Sequence, residues 1–142
     1  RSSAASDVYK RQNNAQREDE GVSKAWLHHK GRNKHHFEYW IDYGQEPGSA
    51  MQGTKMPVKY VVEMFCDRVA ACKTYYKENY NDSMPFEYFN KNRKHYMMHP
   101  ETMELLGKML IMLKRYGEED TLVYIRERIL TGKYPKKTAV KS

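Results

Sequence analysis

Histidines are concentrated in one short part of the chain. Four of the six histidines fall between His28 and His36, as two adjacent pairs, His28-His29 and His35-His36. A neutral imidazole offers a nitrogen lone pair to a metal ion at neutral pH. Gly31 between the pairs favours a tight turn, which would allow both pairs to reach one ion. The pattern predicts a metal site, and the alternative is a polar surface whose histidines are only solvated.

Residues of other types around the histidines fit the same chemistry. Glu38 is suited to orienting a histidine ligand or to acting as a base on metal-bound water. Asn33 is either a ligand or a residue that holds the turn. Trp26, Tyr39 and Trp40 frame the segment with aromatic rings. The spacing is neither that of a zinc finger nor that of an H-E-x-x-H helix, so short-motif matching adds little.

Asp67 is the second candidate, because it is an acid on a helix with many apolar residues. An unpaired charge is costly to bury, so its carboxylate needs a partner. The partner is either a salt bridge to Arg68 or a nearby Lys, or a metal site. Small residues follow at Ala70 and Ala71, and they permit the close approach of another element.

Several helices are predicted to position these residues. The strongest are a helix over residues 56–79, with Pro57 in its first turn, and an amphipathic helix over residues 100–116 that Gly117 ends. His99, which precedes Pro100, is expected to cap the latter. On the 56–79 helix one apolar stripe and a second face are predicted. The stripe is Val58, Val61, Val62, Phe65, Val69 and Cys72, and the second face is Tyr60, Glu63, Met64, Asp67 and Ala71.

Weaker patterns connect these helices. A short helix is expected over residues 22–30, and residues 35–43 resume as helix. A loop follows over residues 44–55, which hold three glycines and Pro47. Residues 80–98 are aromatic, basic and irregular or weakly helical, with Pro85 as a breaker. A last helix is expected over residues 121–131, and its inward side chains are Leu122, Ile125 and Ile129.

The composition indicates one soluble domain. The chain has 142 residues, 39% of them hydrophobic and 30% charged, and a formal net charge of +7. This positive charge would favour binding of phosphate or nucleic acid. The alternative interpretation is a solvated surface rich in Lys and Arg. No stretch of about 18 apolar residues exists, so no membrane partner is expected. Cys66 and Cys72 lie on one predicted helix at a spacing that points their side chains in different directions, so a disulfide between them is not expected. Two free thiols suit a reducing cytoplasm.

The two ends are expected to lie outside the folded domain. Residues 1–12 have no hydrophobic period and resemble translated adapter sequence, so we treat them as an artefact and expect disorder. Residues 13–134 form a single helical domain, the C-terminal part of a longer protein, and residues 135–142 are a basic flexible tail. On this view ligands from an upstream segment are missing, and apolar surface is exposed on the inner face of the 56–79 helix.

The histidine block carries a resemblance. Its pattern W-x-H-H-x3-N-x-H-H-x-E-Y-W, followed by Met56-Pro57 and by E-M-x-C-D at residues 63–67, resembles an uncharacterised family of small bacterial and phage proteins. The resemblance covers residues 21–71 and the helix after His99. Members of that family carry a further His and an H-D box upstream, an order similar to that of HD-domain metal phosphohydrolases.

The resemblance implies an all-α, HD-like helical bundle fragment with a divalent metal (Mn, Fe or Mg). It implies that the full-length parent is a phosphohydrolase acting on a phosphorylated small molecule or nucleotide, and that the fragment alone is inactive. The implied metal ligands are His29, His35, His36 and Asp67. Glu38 is the catalytic candidate, and Lys30, Arg32 and Lys34 would hold the substrate phosphate. The chain departs from the HD pattern in lacking the first His and the His-Asp step.

A reading of a different class stays open. The chain is then a non-catalytic basic helical protein that binds nucleic acid or a protein partner. Its contact surface would be the aromatic and basic segment from Tyr88 to Tyr96.

Overall fold

The protein is mostly helical, with one small sheet. A computed structural model describes residues 33–43 and 50–136. Its regular elements are strands β1 (Ile41–Tyr43) and β2 (Met51–Gly53) and helices α1 (Val58–Tyr76), α2 (Met84–Asn92), α3 (Pro100–Tyr116) and α4 (Glu118–Tyr124). Short 3-10 turns span Phe37–Trp40, Lys77–Asn79 and Arg93–His95, and a π-helical turn spans Ile125–Ile129.

The strands correct the predicted helix over residues 35–43 at residues 41–43, after the 3-10 turn, and the predicted loop over residues 44–55 at residues 51–53. Residues 44–49 lie outside the described residues. β1 and β2 pair antiparallel, with Ile41 opposite Gly53. The hydrogen bonding between the two segments extends one residue past each strand. Both the backbone N–H and the hydroxyl of Thr54 donate to the carbonyl oxygen of Trp40, each at 2.6 Å. These contacts join residues distant in the chain, which a local hydrophobic period does not reveal.

α1 largely follows the predicted helix over residues 56–79, beginning one residue after Pro57. It buries Val61, Phe65 and Val69, as the apolar stripe predicted. Met64 is also buried, at 3% exposure, although the sequence placed it on the second face. The buried band is therefore wider than the stripe, because α2 and α3 both contact this helix.

α2 corrects the prediction that residues 80–98 are irregular or weakly helical with Pro85 as a breaker. Pro85 lies in the first turn of the helix, where a missing N–H costs no intrahelical hydrogen bond. Phe89 from this helix is fully buried. The ring of Phe89 packs against Gly107 of α3. A β-carbon at residue 107 would lie only 3.4 Å from this ring, so the glycine allows the two helices to pack closely.

α3 is the central helix and has the predicted bounds, Pro100–Tyr116. The Nδ1 atom of His99 accepts a hydrogen bond from the backbone N–H of Glu101 at 3.1 Å, so His99 caps the helix as expected. Gly117 ends it with a φ of 88°, a conformation that favours glycine. Leu106, Leu110 and Leu113 are fully buried, together with Met109.

The last helix begins earlier than predicted. α4 starts at Glu118, directly after the bend at Gly117, and leads into the π-helical turn. Ile125 and Ile129 are buried as predicted, at 3% and 1% exposure. The prediction that Leu122 faces inward is wrong, since 38% of this residue is exposed. Thr121 takes the inward position instead, and its hydroxyl donates to the carbonyl of Gly117 at 2.7 Å.

The inner face of α1 was expected to be uncovered, and it is packed. Its apolar residues belong to one core cluster with those of α2 and α3. The exposed large hydrophobic residues of α1 are Tyr75 and Tyr76, at its carboxyl end. Among the described residues, no helix has the length and apolar character needed to span a bilayer.

Candidate metal centre

The second histidine pair lies at the start of a tight turn. The backbone N–H of His36 donates to the carbonyl of Asn33 at 3.0 Å, and that of Tyr39 donates to the carbonyl of His36 at 3.1 Å. The indole N–H of Trp40 donates to the carbonyl of Lys34 at 2.9 Å. Asn33 therefore holds the turn through its backbone oxygen, one of the two roles predicted for it.

α1 brings Asp67 to these histidines. His35, His36 and Asp67 each offer a ligand atom, and these atoms lie within 4.8 Å of one another. His36 Nε2 is 3.9 Å from Asp67 Oδ2, and 14% and 13% of the two side chains are exposed. The imidazole rings of His35 and His36 lie beside each other, with centroids 4.8 Å apart and planes tilted by 37°. Three ligand-type side chains thus converge in a largely buried place.

Two further carboxylates lie beside the other imidazole nitrogens. Glu63 Oε1 is 3.7 Å from His35 Nδ1, and Glu38 Oε1 is 4.0 Å from His36 Nδ1. In metal sites, a carboxylate at one ring nitrogen orients the histidine and leaves the other nitrogen for the ion. Here this arrangement would assign Nε2 of both rings to the ion.

The geometry fits a metal ion after a small closure. Metal–nitrogen and metal–oxygen bonds are about 2.0–2.2 Å long, so two ligands of one ion are at most roughly 4.4 Å apart. The 3.9 Å between His36 and Asp67 is within this limit, and the 4.8 Å bound on the cluster exceeds it. An approach of about 1 Å or less would bring all three atoms into bonding range.

The sequence of this chain matches one protein family over residues 2–112, which is more than half its length. The chain belongs to the DUF5662 family, a family of unknown function. The DUF5662 match contains every residue of the cluster and ends within α3. No curated protein and no solved structure matched significantly.

The other predicted site residues divide into two groups. His29, Lys30 and Arg32 lie outside the described residues. Lys34 is exposed, and its ammonium nitrogen lies 6.0 Å from the ring centroid of Tyr60.

The salt bridge weighed between Asp67 and Arg68 does not form. The guanidinium of Arg68 donates to the hydroxyl of Tyr96 at 3.2 Å and lies over its ring at 4.9 Å. Asp67 instead faces His36. Arg68 therefore links α1 to the segment after α2, and Asp67 lies beside the histidine cluster.

Glu63 belongs to the cluster but was not singled out as a candidate. It precedes Asp67 by four positions on α1, and side chains four apart lie on the same face of a helix. The same spacing rule, applied to the acids of the second face, was the signal that could have found it.

The segment from Tyr88 to Tyr96 does not present a uniform aromatic surface. Tyr88 is 59% exposed, and Lys91 and Lys94 are exposed as well. Tyr96 packs inward, with its ring centroid 5.3 Å from that of Phe37. The inner part of this segment therefore supports the turn that carries the histidines.

Proposed function

We propose that His35, His36 and Asp67 bind a divalent metal ion and that this centre serves a metal-dependent phosphohydrolase of HD-like type. The observation that carries the proposal is the convergence of their ligand atoms within 4.8 Å. Imidazole and carboxylate together suit Mn²⁺ or Fe²⁺ better than a purely oxygen site would. Mg²⁺ is the hard-ion alternative and would rely more on the carboxylates.

The burial of His35 favours an ion over a simple ion-pair network. Its Nε2 atom is buried and has no hydrogen-bond partner within the part of the chain that the structure describes. A protonated His35 would leave that N–H unsatisfied, at a cost of about 1–3 kcal/mol. In a neutral ring whose Nδ1–H faces Glu63, 3.7 Å away, Nε2 carries the lone pair, and a cation would satisfy it.

The charge balance supports the same conclusion. Asp67, Glu38 and Glu63 place three carboxylates around two imidazoles. A divalent cation between these carboxylates and neutral imidazoles would offset part of their negative charge. Opposite charges in a partly buried place interact more strongly than they would in water.

The reaction class rests on the chemistry of such centres and on the HD-like motif order. A bound divalent ion lowers the pKa of a coordinated water and neutralises phosphate charge. In hydrolysis of a phosphoester, a water oxygen bonds to phosphorus as the ester P–O bond breaks. Glu38 is placed to orient His36 or to accept a proton, and Lys34 supplies a positive charge on the exposed side. The mostly helical fold is compatible with this class.

Metal binding is the first test. Purified protein is stripped with chelator and titrated with Mn²⁺ by calorimetry, and metal content is measured after reconstitution. We expect one ion per chain, and Asp67→Asn should weaken binding at least tenfold, because it keeps the shape and removes the charge. His95→Gln is the matched control, since His95 is exposed outside the cluster. No metal binding by the wild-type chain would reject the centre.

Hydrolysis is tested separately. The Mn²⁺-loaded protein is assayed with bis-p-nitrophenyl phosphate and p-nitrophenyl phosphate, a generic diester and monoester. Contrary to the expectation above that the chain alone is inactive, we propose that it turns over these esters, because His35, His36 and Asp67 already converge. Asp67→Asn should abolish this turnover and His95→Gln should retain it. A protein that binds metal through Asp67 but cleaves neither ester would leave the metal centre standing and reject the hydrolase assignment for this chain.

A further inference from the structure

A long open groove runs along α3, on a different part of the molecule from the histidine cluster. Its volume is about 1060 Å³. α3 lines it from Pro100 to Tyr116, Phe86 of α2 borders one side, and Tyr134 and Lys136 of the C-terminal segment border another. None of the cluster residues described above lines it.

The floor of the groove is apolar and rich in methionine. Met56 and Met98 are buried beneath it. Met103, Ile111 and Met112 are half-buried along α3, so their outer atoms face the groove. Methionine side chains adapt to differently shaped apolar partners, which is why they are frequent at surfaces that bind peptide helices.

The rim of the groove is positively charged. Five cations line it against two carboxylates, a net charge of +3. These charged residues are Lys55, Arg93, Lys108, Arg115 and Lys136, with Glu101 and Glu104. Glu101 is held by Lys55, with 2.9 Å between Oε1 and Nζ. With the Lys55–Glu101 pair set aside, four cations and Glu104 remain on the rim, so its charge is mainly positive.

Aromatic rings hold several of these cations. The ammonium nitrogen of Lys108 lies 5.6 Å from the ring centroid of Tyr124 and 5.7 Å from that of Tyr134. Lys136 lies 5.1 Å from the Tyr134 centroid. Within residues 33–43 and 50–136, no carboxylate oxygen lies within 4.0 Å of the charged nitrogens of Lys108, Lys136 or Arg115. A cation–π contact positions a cation without neutralising it, so these charges remain available to an external anion.

We propose that this groove binds an acidic amphipathic helix of a partner protein. Apolar side chains of such a helix would contact the methionine floor, and its carboxylates would meet the lysines and arginine of the rim. A helix in an apolar groove uses anchors at i, i+3 or i+4, and i+7. α3 has 17 residues, so it offers a track of about 25 Å, enough for three to four turns of a docked helix.

The apolar floor separates this partner from a nucleic acid. A single-stranded nucleic acid requires exposed aromatic faces on which successive bases stack. Among the rings that line the groove, the face of Tyr134 is taken by two lysines and that of Phe86 by Lys114, which leaves Tyr116 as the one exposed ring. One ring does not provide the series of faces on which successive bases stack. The proposal is independent of the metal centre.

The test uses labelled peptides and the full chain. Fluorescence anisotropy is measured with three 18-residue helical peptides and with single-stranded dT20. The first peptide is acidic with Leu at i, i+4, i+7 and i+11, the second has the same Leu positions with Lys on the polar face, and the third is acidic with Ser at the Leu positions. We expect the first to bind at least tenfold more tightly than the others and than dT20.

Variants locate the binding site. Lys108→Glu combined with Arg115→Glu should weaken binding of the acidic amphipathic peptide at least tenfold, and Met112→Gln should weaken it about threefold or more. Lys91→Glu combined with Lys94→Glu is the charge-matched control, since both lysines are exposed and neither lines the groove. Circular dichroism checks that each variant is folded. Absence of peptide binding, preference for the basic peptide or dT20, or equal effects of the groove and control variants would overturn the proposal.

Discussion

His35 Nδ1 lies 3.7 Å from Glu63 Oε1, which joins the histidine turn to α1 at a point one helical turn from Asp67. The side chain of His35 is 7% exposed and that of Glu63 is 43% exposed. Glu63 thus reaches from the solvent edge toward a buried ring. Its role in the proposed centre is to orient His35, rather than to bind the ion itself.

Glu63→Gln tests this orienting role. The amide keeps the size of the side chain but removes its charge, so we expect Mn²⁺ affinity to fall about 10-fold to 100-fold, the usual range for such outer carboxylates. Calorimetric titration measures the change. Glu119→Gln, at an exposed position of α4, is the control and should leave affinity unchanged. Equal affinities for wild type and Glu63→Gln would show that Glu63 does not act on the centre.

Gly53→Ala tests the anchoring of the sheet. A β-carbon at residue 53 would lie 2.7 Å from the carbonyl oxygen of Met97 and 2.7 Å from the backbone nitrogen of His99. Backbone cannot rotate away as a side chain does, so we expect a loss of about 1–3 kcal/mol in the free energy of unfolding, as for other overpacked sites. Urea denaturation measures it.

The matched control for Gly53→Ala is Gln52→Ala, on the same strand and exposed. A surface substitution of this kind should change the free energy of unfolding by no more than about 0.5 kcal/mol. If both variants unfold at the same urea concentration, the close approach at Gly53 does not constrain the fold.

The Lys55–Glu101 pair predicts a pH dependence. The hydrogen bond and positive charge of Lys55 lower the pKa of Glu101, and the same contact with Glu101 raises the pKa of Lys55. The contribution of Glu101 to stability is therefore present above its unfolded pKa and lost as the pH falls through its lower folded pKa. That of Lys55 is present below its unfolded pKa and lost as the pH rises through its higher folded pKa.

Carboxyl NMR titration measures the Glu101 side of this pair. Lys55→Met should raise the pKa of Glu101 toward the ordinary glutamate value, and 1 M NaCl should shift the wild-type pKa in the same direction. The accompanying change in stability should be small, because both side chains are exposed to solvent. A Glu101 titration midpoint that is unaffected by Lys55→Met would contradict the pairing.

The sequence predicted the helices better than the short elements. α3 has strong helical periodicity, a histidine–proline start and a glycine end, and these local signals determine its bounds. β2 has only Met51, Gln52 and Gly53 and no alternating pattern, so its pairing with β1 depends on contacts distant in the chain. Leu122 was placed inward because helical periodicity does not show where α4 begins relative to the bend at Gly117.

The candidate site was predictable where a local signal in the sequence marks it, and not where it depends on contacts between distant parts of the chain. The density of histidines marks His35 and His36 without any knowledge of the fold. Asp67 was chosen because a buried acid needs a partner. Its proximity to His36 depends on the pairing of β1 with β2, which places the histidine turn beside α1. The ligand roles of these residues, and those of His29, Lys30 and Arg32, stay predictions.

The two hydrogen bonds from Thr54 to the carbonyl of Trp40 have a consequence for ligand capture. These bonds hold Thr54 against Trp40, the residue that ends the histidine turn. The conformational entropy of ordering that turn is therefore lost when the protein folds, and not when an ion binds. In the proposed centre, only the small closure of the three ligand atoms would then remain to accompany ion binding. Thr54→Val, which replaces the hydroxyl by a methyl group and keeps the backbone hydrogen bond, would therefore slow ion binding to the proposed centre while lowering the free energy of unfolding only slightly.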